Sequence, residues 1–321
     1  MLEVRDLHVW FDLAGDTQLH AVQGVSFDLE RGERMGLVGE SGCGKTTTIL
    51  AIMGLLPPSA EVAGEVRLDG VDILADGEDS VRPYRWKDIA MVFQGAMNAL
   101  NPVKTVEFQI VEPLEFHEIA EGAAAKRAAG ELLELVGIPA QAAARYPHEF
   151  SGGMRQRAAI AMALACQPKI LLADEPTTAL DVMVQAQILE LLESLAKDLG
   201  LALVLVTHDL PVVAQVCDRA AVMYAGEIAE TGLMDDLFHS PRHPYTRLLF
   251  AATPDLLGVD DVLSIPGAPP RLDRELVGCP FRPRCDSAFD RCKAEAPALK
   301  LIYPGHQAAC HLNDVPAEAG A

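Results

Sequence analysis

The sequence predicts an α/β fold: a mainly parallel β-sheet covered by helices on both faces. An antiparallel β subdomain, a helical subdomain and an irregular cysteine-rich C-terminal extension complete it. Three observations predict this. Four short apolar runs read as buried strands and alternate with helical stretches: Met35-Gly36-Leu37-Val38, Ile89-Ala90-Met91-Val92-Phe93, Ile170-Leu171-Leu172-Ala173 and Leu203-Val204-Leu205-Val206. Residues 1–30 alternate apolar and polar positions as antiparallel strands do. From about 96 to 165 the chain is helical and Ala-rich. With 321 residues the chain is long enough for about two domains. We place them at 1–240, with the helical subdomain at about 96–165, and at 241–321.

In chain order, Leu2-Val4, Leu7-Val9-Phe11 and then Val22, Val25, Phe27 and Leu29 carry the first alternation, with Gly15-Asp16 marking a loop. The strand at 35–38 runs into Gly39-Glu40-Ser41-Gly42-Cys43-Gly44-Lys45-Thr46-Thr47, which fits G-x-x-x-x-G-K-[ST]. A helix follows from Thr47 to Met53, closed by Gly54 and Pro57-Pro58. Strand, glycine-rich turn and helix N-terminus together form an anion site, because backbone N–H groups point inward and the helix end is partly positive. The three glycines let the backbone close around phosphate oxygens. Lys45 supplies a mobile cation and the Thr46 hydroxyl a Mg²⁺ ligand.

Residues 64–70 predict another strand ending in a turn, and the strand at 89–93 ends at Gln94. Glu121 to Val136 predicts a helix with Leu132, Leu133 and Val136 on one side, stopped by Gly137 and Pro139. Arg155 to Cys166 predicts a largely buried helix, and Val184 to Leu199 a strongly periodic one. Val222-Met223-Tyr224 and Glu227-Ile228-Ala229-Glu230 read as a hairpin around Ala225-Gly226. Beyond Ser240, prolines 241, 244, 254, 266, 269, 270, 280 and 283 argue against long elements, so an irregular appendage is expected.

Two further stretches bear on phosphate chemistry. The buried run Leu171-Leu172-Ala173 ends in Asp174-Glu175, the paired carboxylates needed if Asp174 orders a Mg²⁺ shell and Glu175 faces an attacking water. Ser151-Gly152-Gly153-Met154 opens a helix, presenting a hydroxyl and free N–H groups at its N-terminus.

Composition is that of a globular protein, 50% hydrophobic and 22% charged, and no run of 18 uninterrupted apolar residues appears. The first residues lack the basic-then-apolar layout of a secretion signal, so a cytoplasmic protein is expected. Net charge is −20, from 46 acidic and 26 basic residues, which argues against a broad nucleic-acid surface. Of seven cysteines, Cys279, Cys285, Cys292 and Cys310 cluster within 32 residues. In a reducing compartment such a cluster points to metal rather than disulfides.

The phosphate loop, Ser-Gly-Gly-Met-Arg-Gln-Arg at 151–157 and Leu-Leu-Ala-Asp-Glu-Pro-Thr-Thr-Ala-Leu-Asp at 171–181 occur together and in order. Over residues 1 to about 235 the chain thus resembles the ATP-binding cassette (ABC) ATPases. The resemblance implies a P-loop ABC-type ATPase domain in which two subunits sandwich ATP and Mg²⁺. It implies that Ser151, Gly152 and Gly153 contact the γ-phosphate held by the opposite subunit, and that Gln94 senses Mg²⁺ and water. His208 matches the family's switch histidine, Asp181 its aspartate at the dimer seam, and Phe11 the aromatic that stacks on adenine, with Trp10 as the alternative. Met154 stands where the family usually has glutamine, and Gly95-Ala96 where many relatives have Asp-Pro.

Asn98-Ala99-Leu100-Asn101-Pro102, His239-Ser240-Pro241-Arg242-His243-Pro244-Tyr245-Thr246 and the Cys-rich tail resemble, more narrowly, the oligopeptide/dipeptide importer ATP-binding subunits. That resemblance implies a second, related ATPase subunit, two transmembrane permeases, an extracellular solute-binding protein and no nucleic acid. It places the chain peripherally on the cytoplasmic face of the membrane. Importers of nickel or oligosaccharides, a soluble ABC ATPase and an iron–sulfur regulatory protein are the alternatives. The tail spacing, C-x5-C, C-x6-C and C-x17-C, lacks the tight pairs typical of zinc. The subfamily resemblance implies a [4Fe–4S] cluster on Cys279, Cys285, Cys292 and Cys310. Zn²⁺ and unliganded thiols remain the competing readings.

Overall fold

Alternating burial makes the first two strands amphipathic. β1 (Leu2–Asp12) buries Leu2, Val4, Leu7 and Val9, and β2 (Gln18–Leu29) buries Val22, Val25, Phe27 and Leu29. β3 (Arg34–Val38) is buried from Met35 onward and leads through the glycine turn into α1 (Lys45–Ile52). β4 (Ala60–Leu68) and β5 (Val71–Asp72) follow, joined at Asp69-Gly70, and then the single turn α2 (Glu78–Val81). The computed structural model describes residues 1–13, 17–95, 99–252, 265–274 and 276–314. Gly15, Asp16, Ala96, Asn98 and Pro254 lie outside them.

The fully buried β6 (Ile89–Val92) precedes α3 (Val106–Phe116), whose N-terminus is capped by Thr105. α4 (Gly122–Leu135) ends where Gly137 adopts φ 76°, the left-handed stop that glycine tolerates. α5 (Gly152–Ala163) begins three residues earlier than its apolar periodicity indicates, because the Ser151 hydroxyl caps it and both glycines are already helical. β7 (Ile170–Asp174), α6 (Val182–Leu199) and β8 (Ala202–Thr207) continue the alternation. After α7 (Leu210–Val216) come β9 (Arg219–Tyr224) and β10 (Glu227–Leu233), the hairpin predicted from sequence. Among the described residues, α8 (Met234–His239), α9 (Pro244–Ala251), α10 (Arg291–Ala294), β11 (Lys300–Tyr303) and β12 (His306–Ala308) follow.

The chain divides into two compact units, one of residues 1–29, 35–75 and 207–321, the other of 30–34 and 76–206. In the first, β2-β1-β4-β5 form an antiparallel sheet, and β11-β12-β10-β9-β3 lie side by side with β3 parallel to β9. In the second, β8-β7-β6 are parallel, with Val92 beside Ala173 and Asp174 beside Val206. Helices α3 to α6 belong to this unit. Among the described residues no helix is long and apolar enough to cross a membrane.

Beyond residue 240 the described elements are short, as the prolines indicate, the longest being the eight-residue α9, yet they pack onto the preceding strands. Pro244 opens α9 at a first-turn position, where its missing N–H costs nothing. β12 extends the edge of β10, with Ala308 opposite Glu230 and Gln307 opposite Thr231. Tyr224, Tyr245 and Phe281 pack together, with ring centroids 4.6 and 5.2 Å from Tyr224, and all three are buried. Each such ring removed from water stabilises by about 1.5–3 kcal/mol, a core that a count of prolines does not reveal.

Candidate nucleotide-binding site

In the first unit, the turn between β3 and α1 places backbone N–H groups at a helix start that has no side-chain cap. Gly39 has φ 150° and Gly44 φ 105°. A Cβ on Gly39 would meet the Met223 carbonyl oxygen at 2.2 Å, and one on Gly44 the Ala21 oxygen at 2.6 Å. These two glycines are therefore required by the protein's own backbone, whereas a Cβ on Gly42 meets nothing within 4 Å. Lys45 is buried, and its Nζ donates to the carbonyls of Gly39 (2.8 Å) and Glu40 (3.0 Å). The Cys43 thiol lies 3.7 Å from the same ammonium, and burial pushes its pKa up although Lys45 pulls it down. Thr46 and Thr47 lie half-buried on the first turn, while Ser41 and Gly42 are exposed.

Glu40 is held on every side. Its N–H donates to the Tyr245 hydroxyl (2.9 Å), and its carboxylate accepts two bonds from Arg284, at 2.5 and 2.8 Å. Sequence reasoning gave neither partner a role. Arg284 stands 244 residues from Glu40, and no local signal marks the pair.

In the second unit, β7 delivers Asp174 into a buried position and Glu175 to the residue after it. Glu175 has φ 41°, a left-handed conformation that costs a non-glycine residue about 1–3 kcal/mol. Its N–H donates to the Val206 carbonyl (2.8 Å), which holds the bend. Its Oε2 accepts from Gln94 Nε2 (2.7 Å) and from the Thr178 hydroxyl (2.9 Å). Parallel pairing of β6 with β7 explains the first bond, because Gln94 leaves β6 two residues after the Val92–Ala173 pair. Thr178 was given no role in the sequence reading beyond its place in the motif.

Ser151 caps α5, its Oγ accepting from the Met154 N–H at 3.3 Å. Asp181 caps α6, its Oδ1 accepting from Val184 at 3.0 Å. A Cβ on Gly153 would come 2.7 Å from Val184 Cγ1, so the glycine permits the close approach of α5 and α6. His208, on the turn between β8 and α7, is exposed. Phe11 is half-buried in β1, opposite Leu19. Trp10 is already engaged: it stacks on His20 at 4.6 Å and on His8 at 5.2 Å.

The four tail cysteines line one cavity, together with His243 and His311. Gly278, at φ 74°, makes this possible, since a Cβ there would meet the Cys292 carbonyl at 2.4 Å. The Cys279 N–H donates to that carbonyl at 2.9 Å. Burial, and then mutual repulsion, pushes the Cys279 thiol up and the Cys310 thiol to about 11. No three His, Cys, Asp or Glu side chains among the described residues gather closely enough to hold one metal ion. A tetrahedral zinc needs its thiolates tightly gathered, each about 2.3 Å from the metal.

Residues 22–178 match the family model "ABC transporter", and residues 229–292 match "Oligopeptide/dipeptide transporter, C-terminal region". The chain is 47% identical to the dipeptide transport ATP-binding protein DppD of Bacillus subtilis, covering 99% of this chain and 96% of that one. The chain belongs to the ABC transporter ATP-binding subunits of the oligopeptide/dipeptide family. It is an ABC-type ATPase. It is also 49% identical to the oligopeptide transport ATP-binding protein OppD of Bacillus subtilis, over 95% of this chain and 87% of that one. Among solved structures, a dimeric post-hydrolysis state of the ATP-binding cassette MJ0796 with ADP and Pi resembles this ABC ATPase. The TM-score is 0.65 and the identity 30%, over 73% of this chain and 99% of that one.

Proposed function

We propose that this ABC ATPase powers import of oligopeptides or dipeptides, bound peripherally on the cytoplasmic face of the membrane beneath two permeases. The observation that carries the proposal is likeness along nearly the whole chain, tail included, to peptide-transport ATP-binding proteins. The N–H groups of Gly39 to Thr47 and the Lys45 ammonium bind the phosphates, and Phe11 stacks on adenine. Thr46, Gln94 and Asp174 hold Mg²⁺, which when bound with ATP neutralises charge on the phosphate oxygens. Glu175 accepts the proton of the attacking water, and Gln94 holds Oε2 of that carboxylate in place. His208 acts as the switch at the γ-phosphate. Ser151, Gly152, Gly153 and Asp181 serve the nucleotide of a second, related ATPase subunit, using first-turn N–H groups that lack intrahelical acceptors.

Cys279, Cys285, Cys292 and Cys310 hold one [4Fe–4S] cluster in this reading, with Zn²⁺ the alternative. Such a cluster would cross-link the tail.

Reconstitution with the permease pair and a solute-binding protein tests the assignment. ATP turnover should rise several-fold when short peptides load the binding protein. Stimulation by nickel or an oligosaccharide with none by peptides would transfer the chain to those importers.

A further inference from the structure

The side chain of Arg284 is 3% exposed and is ion-paired to Glu40 of the phosphate loop. Its two terminal nitrogens bond both Glu40 oxygens, at 2.5 and 2.8 Å, in the fork geometry that matches guanidinium to carboxylate. Nε donates to the Pro266 carbonyl (2.8 Å) and Nη1 also to the Tyr224 hydroxyl (3.4 Å), so the guanidinium is fixed independently of Glu40. Glu40 is the second residue of the loop. Its three polar groups meet Arg284, the Tyr245 hydroxyl and the Lys45 ammonium, and two of these anchors come from the C-terminal extension.

A carboxylate inside a loop that must receive a polyphosphate is an electrostatic liability, because like charges in a partly buried setting repel. Arg284 removes that liability and fixes the carbonyl to which Lys45 is bonded. We propose that Arg284 is a positioning residue for nucleotide binding: it neutralises Glu40 and holds the phosphate loop in register with the cysteine-bearing tail. The turn that carries it is bounded by two of the tail thiols, with Arg282 N–H donating to the Cys279 carbonyl (3.1 Å) and Cys285 N–H to the Arg282 carbonyl (3.2 Å). This inference rests on the reading of residues 39–47 as the phosphate site.

The test measures MgATP dissociation constants on the purified full-length chain. Arg284→Met should weaken binding about tenfold, as expected for losing about 1.4 kcal/mol. Adding Glu40→Gln to that variant removes the exposed negative charge and should bring affinity closer to wild type than to the single variant. A purely structural arginine would give no such recovery. Arg284→Lys, which keeps the charge but loses the fork, should give an intermediate constant and carries the test if the methionine variant does not fold. A dissociation constant for Arg284→Met within twofold of wild type, or a double variant no tighter than the single, overturns the inference. Lys45→Ala separates the two readings. If it leaves ATP affinity intact, the phosphate-site assignment fails; if it abolishes binding while Arg284→Met does not matter, only the inference fails.

Discussion

Glu175 combines a left-handed backbone with a carboxylate oxygen that accepts two side-chain hydrogen bonds. A base that must accept a proton at one position gains from such fixing, because rotation away from the water costs rate. The strained backbone is held by the bond from the Glu175 N–H to the Val206 carbonyl. Glu175→Gln keeps the shape and an oxygen that accepts from Gln94, but it removes the base. ATP hydrolysis should fall about 10²-fold or more. ATP binding should persist, since the proposed role of Glu175 also puts a negative charge near the γ-phosphate that the amide removes. Turnover and equilibrium binding of the same preparation check both halves, and near-normal turnover would refute the assignment of Glu175.

At the scale of elements, α6 shows how local rules and tertiary contacts share one helix. Asp181 caps its start, Gly200 stops it at φ 62°, and Glu193 meets Lys197 one turn on at 2.7 Å. Glu193 also reaches Arg34, at 3.5 Å. Lys197 first, and Arg34 after it, hold the Glu193 carboxyl below its ordinary value of 4.5. A depressed carboxylate contributes stability that is present above 4.5 and is lost as pH falls through its folded-state value. Glu193→Gln should therefore lower stability by about 0.5–1 kcal/mol at neutral pH, the range for a solvent-screened pair. The difference from wild type should vanish in strongly acidic solution. Denaturant titrations at pH 7 and at the acid end would detect it, and a difference independent of pH would exclude the ion pairs as its source. The existence of such elements was legible because period and burial coincide: four unbroken apolar runs became β3, β6, β7 and β8. Their edges were less so. α1 begins two residues before its expected start and α5 three, because helix starts are set by caps and glycine dihedrals rather than by apolar spacing. Asp174, Glu175 and Gln94 could be singled out because strand ends and motif order mark them. Thr178 and Arg284 could not be given roles, since each acts through one hydrogen-bonding geometry that only the folded chain creates.

The tail is where the whole molecule differs most from the sum of its segments. Read alone, residues 241–321 offer prolines, few apolar runs and four thiols. Folded, they contribute β12 to the edge of β10, Tyr245 and Phe281 to a buried aromatic cluster, and Arg284 to the phosphate loop. The four cysteines line one cavity, where burial pushes the Cys279, Cys285 and Cys310 thiols up. On the proposed reading, a metal centre here would be held by the four thiolates, would release protons on binding and would tie Cys279 and Cys285 to Cys292 and Cys310. The ordering entropy of that loop, roughly 1–2 kcal/mol per residue, is large compared with what a small aromatic cluster supplies. Protein purified without oxygen should therefore be brown and contain about four irons and four sulfides per chain. Cys292→Ser should remove the colour and lower the thermal midpoint. Through the Arg284 turn it should also weaken MgATP binding, an effect that the Glu40→Gln change should blunt. One zinc per chain with no sulfide would assign the cavity to zinc instead and would leave the ATPase site as described.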